Sequence, residues 1–268
     1  MKNTILIIML SFLFACENFD HKNINDKAVL EAFLYQGTNQ IKVNANSVFN
    51  LNEIESENTG IENAYIKLIK NDIEYNLSHD NSNKGSYIYN GNDLIINNGD
   101  KFEIIMEYDN KIINAQTIVP SVVENVKLNK TEISISPITD IYKLKELEKL
   151  SLEVSWDNNH NEYYFVTINN ISNNPENIIK LNQGNLNNFS LTTIPTNTNK
   201  QVFTLNKLNQ YGTYKIKVYK INDEYLKLYN TLEQNSKNLN EPYTNINGGY
   251  GIFTAFSFKE LDFKIIKP

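Results

Sequence analysis

The chain has 268 residues, with 25 lysines against 31 aspartates and glutamates, and a formal net charge of −6. Arginine is absent from the sequence, so the planar guanidinium fork that grips phosphate is missing, and together with the acidic balance this argues against binding to nucleic acid. Cys16 is the only cysteine, which excludes a disulfide within the chain.

The first predicted element is an N-terminal targeting segment. The apolar run at 5–14 is about ten residues long, which fits a signal peptide and is too short to span a bilayer. Leu13 and Ala15 are the branched and small residues that bacterial lipoprotein processing requires before a cysteine. We therefore predict a lipoprotein signal peptide at 1–15, cleavage between Ala15 and Cys16, and lipidation of Cys16. An ordinary secretory signal with an incidental cysteine is the alternative.

Residues 16–26 are predicted to form a lipidated tether. Two or more acyl chains on Cys16, of the palmitate type, give stable anchoring because each buried methylene contributes about 0.8 kcal/mol. Glu17 and Asp20 resemble the acidic surface-export signal of Bacteroidota lipoproteins, which implies the cell surface rather than the periplasmic face. No later segment is apolar over the roughly 20 residues that a spanning helix needs, so the predicted contact with the membrane is through Cys16.

Residues 27–120 are predicted to form a first β-sandwich domain. Apolar and polar residues alternate with a period of two, and the turn residues Asn71-Asp72 and Asp109-Asn110 separate two pairs of segments as hairpins. Pro120 marks the predicted domain boundary. The predicted strands are 27–34, 40–48, 61–68, 73–77, 101–108 and 111–119.

Residues 121–268 are predicted to form a second β-sandwich domain. Its predicted strands are 122–135, 152–157, 163–168, 208–221 and 249–266, and a short helix with Asp140 as its N-cap is predicted after Pro137. The segments 154–156 and 208–221 resemble fibronectin type III modules. That resemblance implies that Trp156 packs centrally and that the Tyr214 hydroxyl bonds back to nearby backbone.

A helix at about 223–236 is predicted to be inserted before the last strand. An apolar stripe repeats at helical spacing behind Asn222-Asp223, and we favour burial of this stripe within the molecule over burial on a partner. The predicted interaction residues are Tyr225 and Tyr229 on the helix and Tyr250 at the start of the last strand. The stripe consists of Tyr225, Leu226, Leu228, Tyr229 and Leu232.

Five short blocks of the sequence, in this order along the chain, are typical of one protein family. They are Val29-Leu30-Glu31-Ala32-Phe33, Ile61-Glu62-Asn63-Ala64, Gly99-Asp100-Lys101-Phe102, Ala115-Gln116-Thr117-Ile118-Val119-Pro120 and Asn245-Ile246-Asn247-Gly248-Gly249-Tyr250-Gly251-Ile252-Phe253. In these blocks the chain resembles, from about Val29 to the C-terminus, the Bacteroidota lipoproteins grouped as domain of unknown function 4249. The resemblance implies an outer-membrane lipoprotein commonly encoded beside TonB-dependent receptors. It further implies an immunoglobulin-like or transthyretin-like first domain and a fibronectin type III-like second domain, with no catalytic residue.

The residues themselves offer little site chemistry. The three histidines lack metal-ligand spacing, and with no Gly-x-Ser-x-Gly elbow a nucleophilic triad has no starting point. We predict no catalytic residue and no cofactor, and we interpret the glycines at 248–251 as conformational. One loop offers oxygens for calcium, although we favour an ordinary turn there. Its residues are Asp157, Asn159, Asn161 and Glu162.

These observations favour a non-enzymatic, membrane-tethered accessory or recognition lipoprotein that docks on a TonB-dependent receptor. A stand-alone cell-surface protein that binds glycans or peptides is the alternative, because the many tyrosines and asparagines suit stacking and hydrogen bonding. A hydrolase is the third hypothesis. The sequence alone does not separate docking from ligand capture.

Overall fold

The computed structural model describes residues 27–48, 59–180, 187–232 and 242–268. Within these ranges the chain is mainly β, as predicted. The strands are β1 (Ala28–Tyr35), β2 (Lys42–Ser47), β3 (Tyr65–Lys70), β4 (Ile73–His79), β5 (Ser86–Ile88), β6 (Lys101–Tyr108), β7 (Lys111–Ile118), β8 (Lys127–Leu128), β9 (Glu132–Ser134), β10 (Ser151–Ser155), β11 (Tyr163–Asn170), β12 (Glu176–Asn177), β13 (Ser190–Thr192), β14 (Lys200–Thr204), β15 (Gln210–Ile221) and β16 (Tyr250–Ile266). The helices are α1 (Ile141–Glu148) and α2 (Asp223–Leu232).

Alternation of apolar and polar residues explains which face of each strand is buried. On β1, Leu30, Ala32 and Leu34 are fully buried while Glu31 and Tyr35 point to the opposite, more exposed face. The apolar faces of β1–β7 enclose a first core, and those of β8–β15 enclose a second one with the end of β16. Each core therefore forms from one half of the chain plus part of the last strand.

The strands are joined into one long hydrogen-bonded path. Its order is β13-β11-β15-β16-β1-β2-β5-β4-β3-β6-β7, with β12 attached to β15 and β9 attached to β16. A separate three-stranded sheet has the order β14-β10-β8. The path passes from the second half of the chain to the first at β16, so this strand determines how the two halves are held together.

Strand β16 pairs with both halves of the chain. Its first part, from Tyr250 to Phe256, runs parallel to β1, and its second part, from Ser257 to Ile265, runs antiparallel to β15. A parallel pair needs a long crossover connection, and here the connection is nearly the whole chain. The last strand thus pairs with one strand from each side of the boundary predicted at Pro120.

Both predicted hairpins are confirmed. Asn71 and Asp72 have φ angles of 50° and 64°, and Asp109 and Asn110 have φ angles of 51° and 57°. Two consecutive left-handed residues define the turn that matches the twist of paired strands, and asparagine and aspartate tolerate this backbone better than most residues. The strands beside these turns pair in register as β3 with β4 and β6 with β7.

Two strand predictions need correction, and some short strands were not predicted. The strand predicted at 122–135 is wrong, because Asn125 has a φ of 51° and only the short strands β8 and β9 form, each on a different partner. The segment 61–64 precedes β3 instead of belonging to it, since the Ile61 amide bonds the Ala45 carbonyl across the sheet. Strands β5, β12, β13 and β14 are too short for a clear alternating pattern and were not predicted.

The helix predictions are confirmed in position. The Asp140 side chain accepts hydrogen bonds from the amides of Tyr142 and Lys143 at the start of α1, as expected of an N-cap. Helix α2 begins at Asp223 as predicted and is described to Leu232; the remainder of the predicted range lies outside the described residues.

The predicted roles of Trp156 and Tyr214 in the second core are also confirmed. Trp156 is buried, and the centre of its ring lies 5.4 Å from the ring centre of Tyr164. The Tyr214 hydroxyl lies 2.7 Å from the Gln210 carbonyl and 3.3 Å from the Leu208 carbonyl, and burial raises the pKa of Tyr214. These contacts fix the start of β15, the strand that leads to α2.

The predicted signal peptide, its cleavage at Ala15 and Cys16, and the tether at 16–26 lie outside the described residues. In the parts of the chain that the structure describes, neither helix has the length and apolar character needed to cross a membrane.

Candidate functional site

A cleft of about 650 Å³ lies where the two halves of the chain meet, and we call it the junction cleft. Its walls come from the end of β7, the start of β11, and the turn from β15 into α2. It is lined by Gln116, Thr117, Ile118, Pro120, Ser121, His160, Asn161, Glu162, Tyr163, Lys220, Ile221, Asn222, Asp223, Glu224 and Leu226.

A nearly buried lysine forms one wall of the junction cleft. The Lys220 side chain is only 8% exposed, and its Nζ lies 2.5 Å from Glu162 Oε2 and 2.5 Å from Ser121 Oγ. The Tyr164 hydroxyl donates to the same Glu162 oxygen at 3.1 Å, and burial, with the nearby Glu162 carboxylate, raises the pKa of Tyr164. Lys220 therefore links the second half of the chain to Ser121, just after Pro120.

A second polar network fixes the first turn of α2 to the sheet. Glu224 Oε1 accepts hydrogen bonds from Thr117 Oγ1 at 2.7 Å, Asn222 Nδ2 at 3.1 Å and Thr254 Oγ1 at 3.2 Å. Thr254 is fully buried on β16, and Thr117 is on β7. A carboxylate suits the first turn of a helix, where it faces the positive end of the helix dipole. This network holds α2 at the junction.

An aromatic cluster continues from the base of α2 across the shared sheet. The Tyr225 ring lies 4.9 Å from that of Phe256 and 6.0 Å from that of Phe165. The pKa of Tyr219 is raised to about 12, mainly because its ring is buried and also because Tyr35 is close by. The cluster consists of Phe33 and Tyr35 on β1, Phe165 on β11, Tyr219 on β15, Tyr225 on α2, and Phe256 and Phe258 on β16.

The structure separates Tyr250 from the two other predicted interaction tyrosines, which share helix α2. Tyr225 packs inside the aromatic cluster, whereas Leu232 at the end of the stripe is 65% exposed, so the predicted burial of the stripe within the molecule holds only in part. Tyr229 is half-buried on the same helix. Tyr250 is six residues before Phe256, roughly 20 Å away along β16. There its hydroxyl accepts a hydrogen bond from Lys27 Nζ at 3.0 Å, and that Nζ lies 4.4 Å from its ring centre. Tyr250 thus holds the start of β1 against β16.

The loop that offered oxygens for calcium borders the junction cleft. Asp157 Oδ2 accepts a hydrogen bond from Asn125 Nδ2 at 2.6 Å, Glu162 is paired with Lys220, and Asn161 has a φ of 55°. Within the described ranges, no three histidine, cysteine, aspartate or glutamate side chains are placed to share a metal ion. The calcium site stays a prediction, and the ammonium of Lys220 competes for one of its four residues.

Lys220 and Glu224 were not predicted as site residues, although the sequence carries a signal for Lys220. Tyr214, Ile216 and Val218 form the buried face of β15, and Lys220 is the next residue in that register. A lysine at a core position is rarely buried unless it is paired. The partner, Glu162, is 58 residues earlier in the chain, so local patterns do not identify it.

Replacing Lys220 with methionine is expected to lower the free energy of unfolding by about 1–2 kcal/mol. The change leaves the Glu162 carboxylate without its cation, and the cost stays below that of a fully buried pair because Glu162 is 33% exposed. Urea unfolding gives the measurement. Lys200→Met is the matched control. Lys200 Nζ lies 3.2 Å from Glu153 Oε2, and because both side chains are exposed, this pair contributes at most about 1 kcal/mol to the free energy of unfolding. Equal losses in the two variants would contradict a structural role for Lys220.

A comparison with protein families gives one match. The family model described as "Domain of unknown function (DUF4249)" matches residues 17–262, which is most of the chain. No curated protein matches the chain. The matched range includes the junction cleft, α2 and all but the end of the shared strand β16.

Proposed function

The chain belongs to the DUF4249 family, and we propose that it is an outer-membrane lipoprotein that acts as a non-enzymatic accessory or recognition partner of a TonB-dependent receptor. In this proposal the protein is a Bacteroidota lipoprotein at the cell surface. Its two halves correspond to an immunoglobulin-like or transthyretin-like sandwich followed by a fibronectin type III-like sandwich.

The proposed anchor is lipidated Cys16. Leu13 and Ala15 supply the residues that lipoprotein processing needs, and the ten residues at 17–26 reach at most about 35 Å when extended. A folded body tethered over this distance stays close to proteins of the same membrane. Tethering raises the effective concentration of such a partner, so a modest interface is enough for stable association.

The observation that carries the docking proposal is the position of α2 beside the junction cleft. Helix α2 lies between β15 and β16, which are antiparallel neighbours that a short turn would join. It contains no fully buried residue, and Tyr225 and Leu226 pack it against the aromatic cluster. The helix is therefore not needed to connect the two strands, and it adds exposed surface that a partner can contact.

The charge of the junction cleft indicates the chemistry of the docked segment. The lining contains three acids, Glu162, Asp223 and Glu224, against one lysine, Lys220, so acidic side chains are in excess. Charge complementarity favours a basic segment as the occupant. We therefore assign the cleft and the exposed side of α2 to a receptor loop that carries lysine or arginine.

Co-purification of the lipidated protein in mild detergent tests this proposal, with the TonB-dependent receptor quantified by mass spectrometry. A stoichiometric receptor is expected with the wild type and a loss of at least tenfold with Leu232→Asp, because Leu232 is 65% exposed at the end of α2. Ile194→Asp is the matched control, since Ile194 is 63% exposed away from the cleft. Recovery of the wild type as a monomer without receptor would overturn the proposal.

The alternative function is a stand-alone cell-surface protein that binds glycans or peptides. One observation favours it, namely a second concave surface of about 550 Å³ on the outer face of β1, β2 and β5. Recovery without a receptor, combined with ligand binding at this surface, would support the alternative.

A further inference from the structure

The second concave surface, which we call the sheet groove, has a mixed aromatic and amide lining. It lies on the side of β1 and β2 that faces away from the first core, and its volume of about 550 Å³ is within the range of small-ligand sites. The residues that matter for its chemistry are Glu31, Phe33, Tyr35, Gln40, Asn44 and Tyr89.

Strand alternation produces this lining. Glu31, Phe33 and Tyr35 share the outer face of β1, while Leu30, Ala32 and Leu34 face the core. The neighbouring strand β2 places Asn44 directly beside Glu31. The groove therefore has a floor of regular backbone lined by aromatic, amide, apolar and charged side chains.

The aromatic side chains of the groove are held in place. The Tyr35 ring stacks on Phe256 at 5.3 Å with an angle of 24°, and its own side chain remains 37% exposed. The Tyr89 hydroxyl donates to Asp93, a bond that together with burial raises the pKa of Tyr89 to about 12. Rings that are already fixed lose little conformational entropy when a ligand binds.

A glycine leaves room for the fixed position of Tyr89. A Cβ atom at Gly91 would lie 2.2 Å from the Tyr89 hydroxyl oxygen. The Tyr89 ring also meets Tyr75 edge to face at 5.5 Å and 88°. Tyr89, which also packs against the first core, is therefore fixed by its neighbours where it lines the groove.

The polar side chains of the groove have unused hydrogen-bonding capacity. Among the described residues, the side-chain amides of Gln40 and Asn44 have no hydrogen-bond partner, and each amide carries two donors and an acceptor. Glu31 and Lys42 are the two charged residues of the lining, so their charges cancel. A neutral ligand with many hydroxyl groups matches this set of donors and acceptors.

We propose that the sheet groove binds a neutral saccharide, with a sugar ring lying against Tyr35 and Tyr89. The C–H face of a pyranose carries partial positive charge, which the negative π face of an aromatic ring attracts. The hydroxyl groups bond the amides of Gln40 and Asn44 and the Glu31 carboxylate. A peptide fits less well, because β1 and β2 each have a hydrogen-bonded strand on both sides and offer no edge for strand addition.

This inference is independent of receptor docking, because the groove and the junction cleft share no lining residue. Leu232→Asp is accordingly expected to keep saccharide binding. Loss of receptor recovery with retained saccharide binding, or the reverse, separates the two proposals.

The test measures binding of the purified full-length protein to an array of neutral glucan, mannan, xylan and galactan oligosaccharides beside an array of peptides. The detergent is one without a sugar head group. Tyr35→Ala and Asn44→Ala are each expected to weaken binding, at least tenfold, to the saccharide that the wild type binds on the array. Tyr65→Ala is the matched control, because Tyr65 is a 45% exposed tyrosine on β3, outside the groove.

Circular dichroism and thermal melting establish that each variant is folded, and the half-buried Asn44 gives a variant that leaves the aromatic packing intact. The proposal is overturned if no neutral saccharide is retained, if peptides bind in place of saccharides, or if folded Asn44→Ala and Tyr35→Ala bind saccharide like the wild type.

Discussion

Replacing Gly251 with alanine is expected to lower the free energy of unfolding by about 3–5 kcal/mol, from a forced steric overlap added to an unfavourable backbone conformation. Gly251 has a φ of 106°, which residues with a side chain rarely adopt, and a Cβ atom there would lie 2.1 Å from the Leu30 carbonyl oxygen. Leu30 lies beside Gly251 in the parallel pair of β1 and β16. The overlap is with backbone, so relief requires the two strands to separate.

Gly37→Ala provides the matched control for this prediction. Gly37 also has a positive φ, of 79°, but a Cβ atom there meets nothing within 4 Å. Its expected cost is about 1–2 kcal/mol from the left-handed conformation alone. Chemical denaturation of both variants isolates the overlap as the difference between them, and equal losses would contradict the close approach of β16 to β1.

The segment around Gly251 explains why this position matters. The Asn245 side chain bonds both the amide and the carbonyl of Phe253, at 3.0 Å and 2.7 Å, and Asn247 pairs with Asn114 of β7 through backbone and side chain. Gly249 passes so close to β1 that a Cβ would lie 2.8 Å from the Ala28 carbonyl oxygen. The prediction that these glycines serve the conformation is confirmed, and the segment closes the first core.

Replacing Cys16 with serine is expected to release the protein almost completely from the membrane fraction. The thiol is the proposed attachment point of the acyl chains, and serine provides no thioether linkage. Two or three acyl chains account for essentially all of the predicted membrane affinity, at about 0.8 kcal/mol for each buried methylene. Cell fractionation after an alkaline wash, combined with labelling by a palmitate analogue, gives the measurement.

Asn18→Ser in the same tether is the control, because it also introduces a serine, two residues away, and leaves the cysteine intact. This variant is expected to remain membrane-bound and to incorporate the label. If Cys16→Ser stays in the membrane fraction at the wild-type level, the anchor assignment is wrong and another part of the chain holds the protein there.

Local patterns were sufficient for the elements that depend on near neighbours. The alternation on β1 predicts which residues face the core, the turns at Asn71-Asp72 and Asp109-Asn110 predict the hairpins, and Asp140 predicts the start of α1. In each case the determining interaction joins residues a few positions apart. The same patterns failed at 122–135, where Asn125 divides the segment and its two parts find different partners.

The sites depend on contacts that no local pattern contains. Glu162 and Lys220 are 58 residues apart and Thr117 and Glu224 are 107 apart, and the chain must be folded before these side chains meet. The sheet groove likewise requires β1, β2 and the Tyr89 segment to be brought together. The sequence shows the polar and aromatic residues of these surfaces without showing which of them share a site.

By itself, the sequence determined the mainly β class, the hairpins, the helix inserted before the last strand and the family resemblance, because strand period, turn chemistry and short motifs are local properties. The tertiary structure decided that β16 pairs parallel to β1 and antiparallel to β15, and so places part of the last strand with the first core. Pairing between strands more than 200 residues apart is selected by packing and backbone hydrogen bonding over the whole sheet. Gly251 is where that choice is visible, since only a residue without a side chain lets the two strands approach.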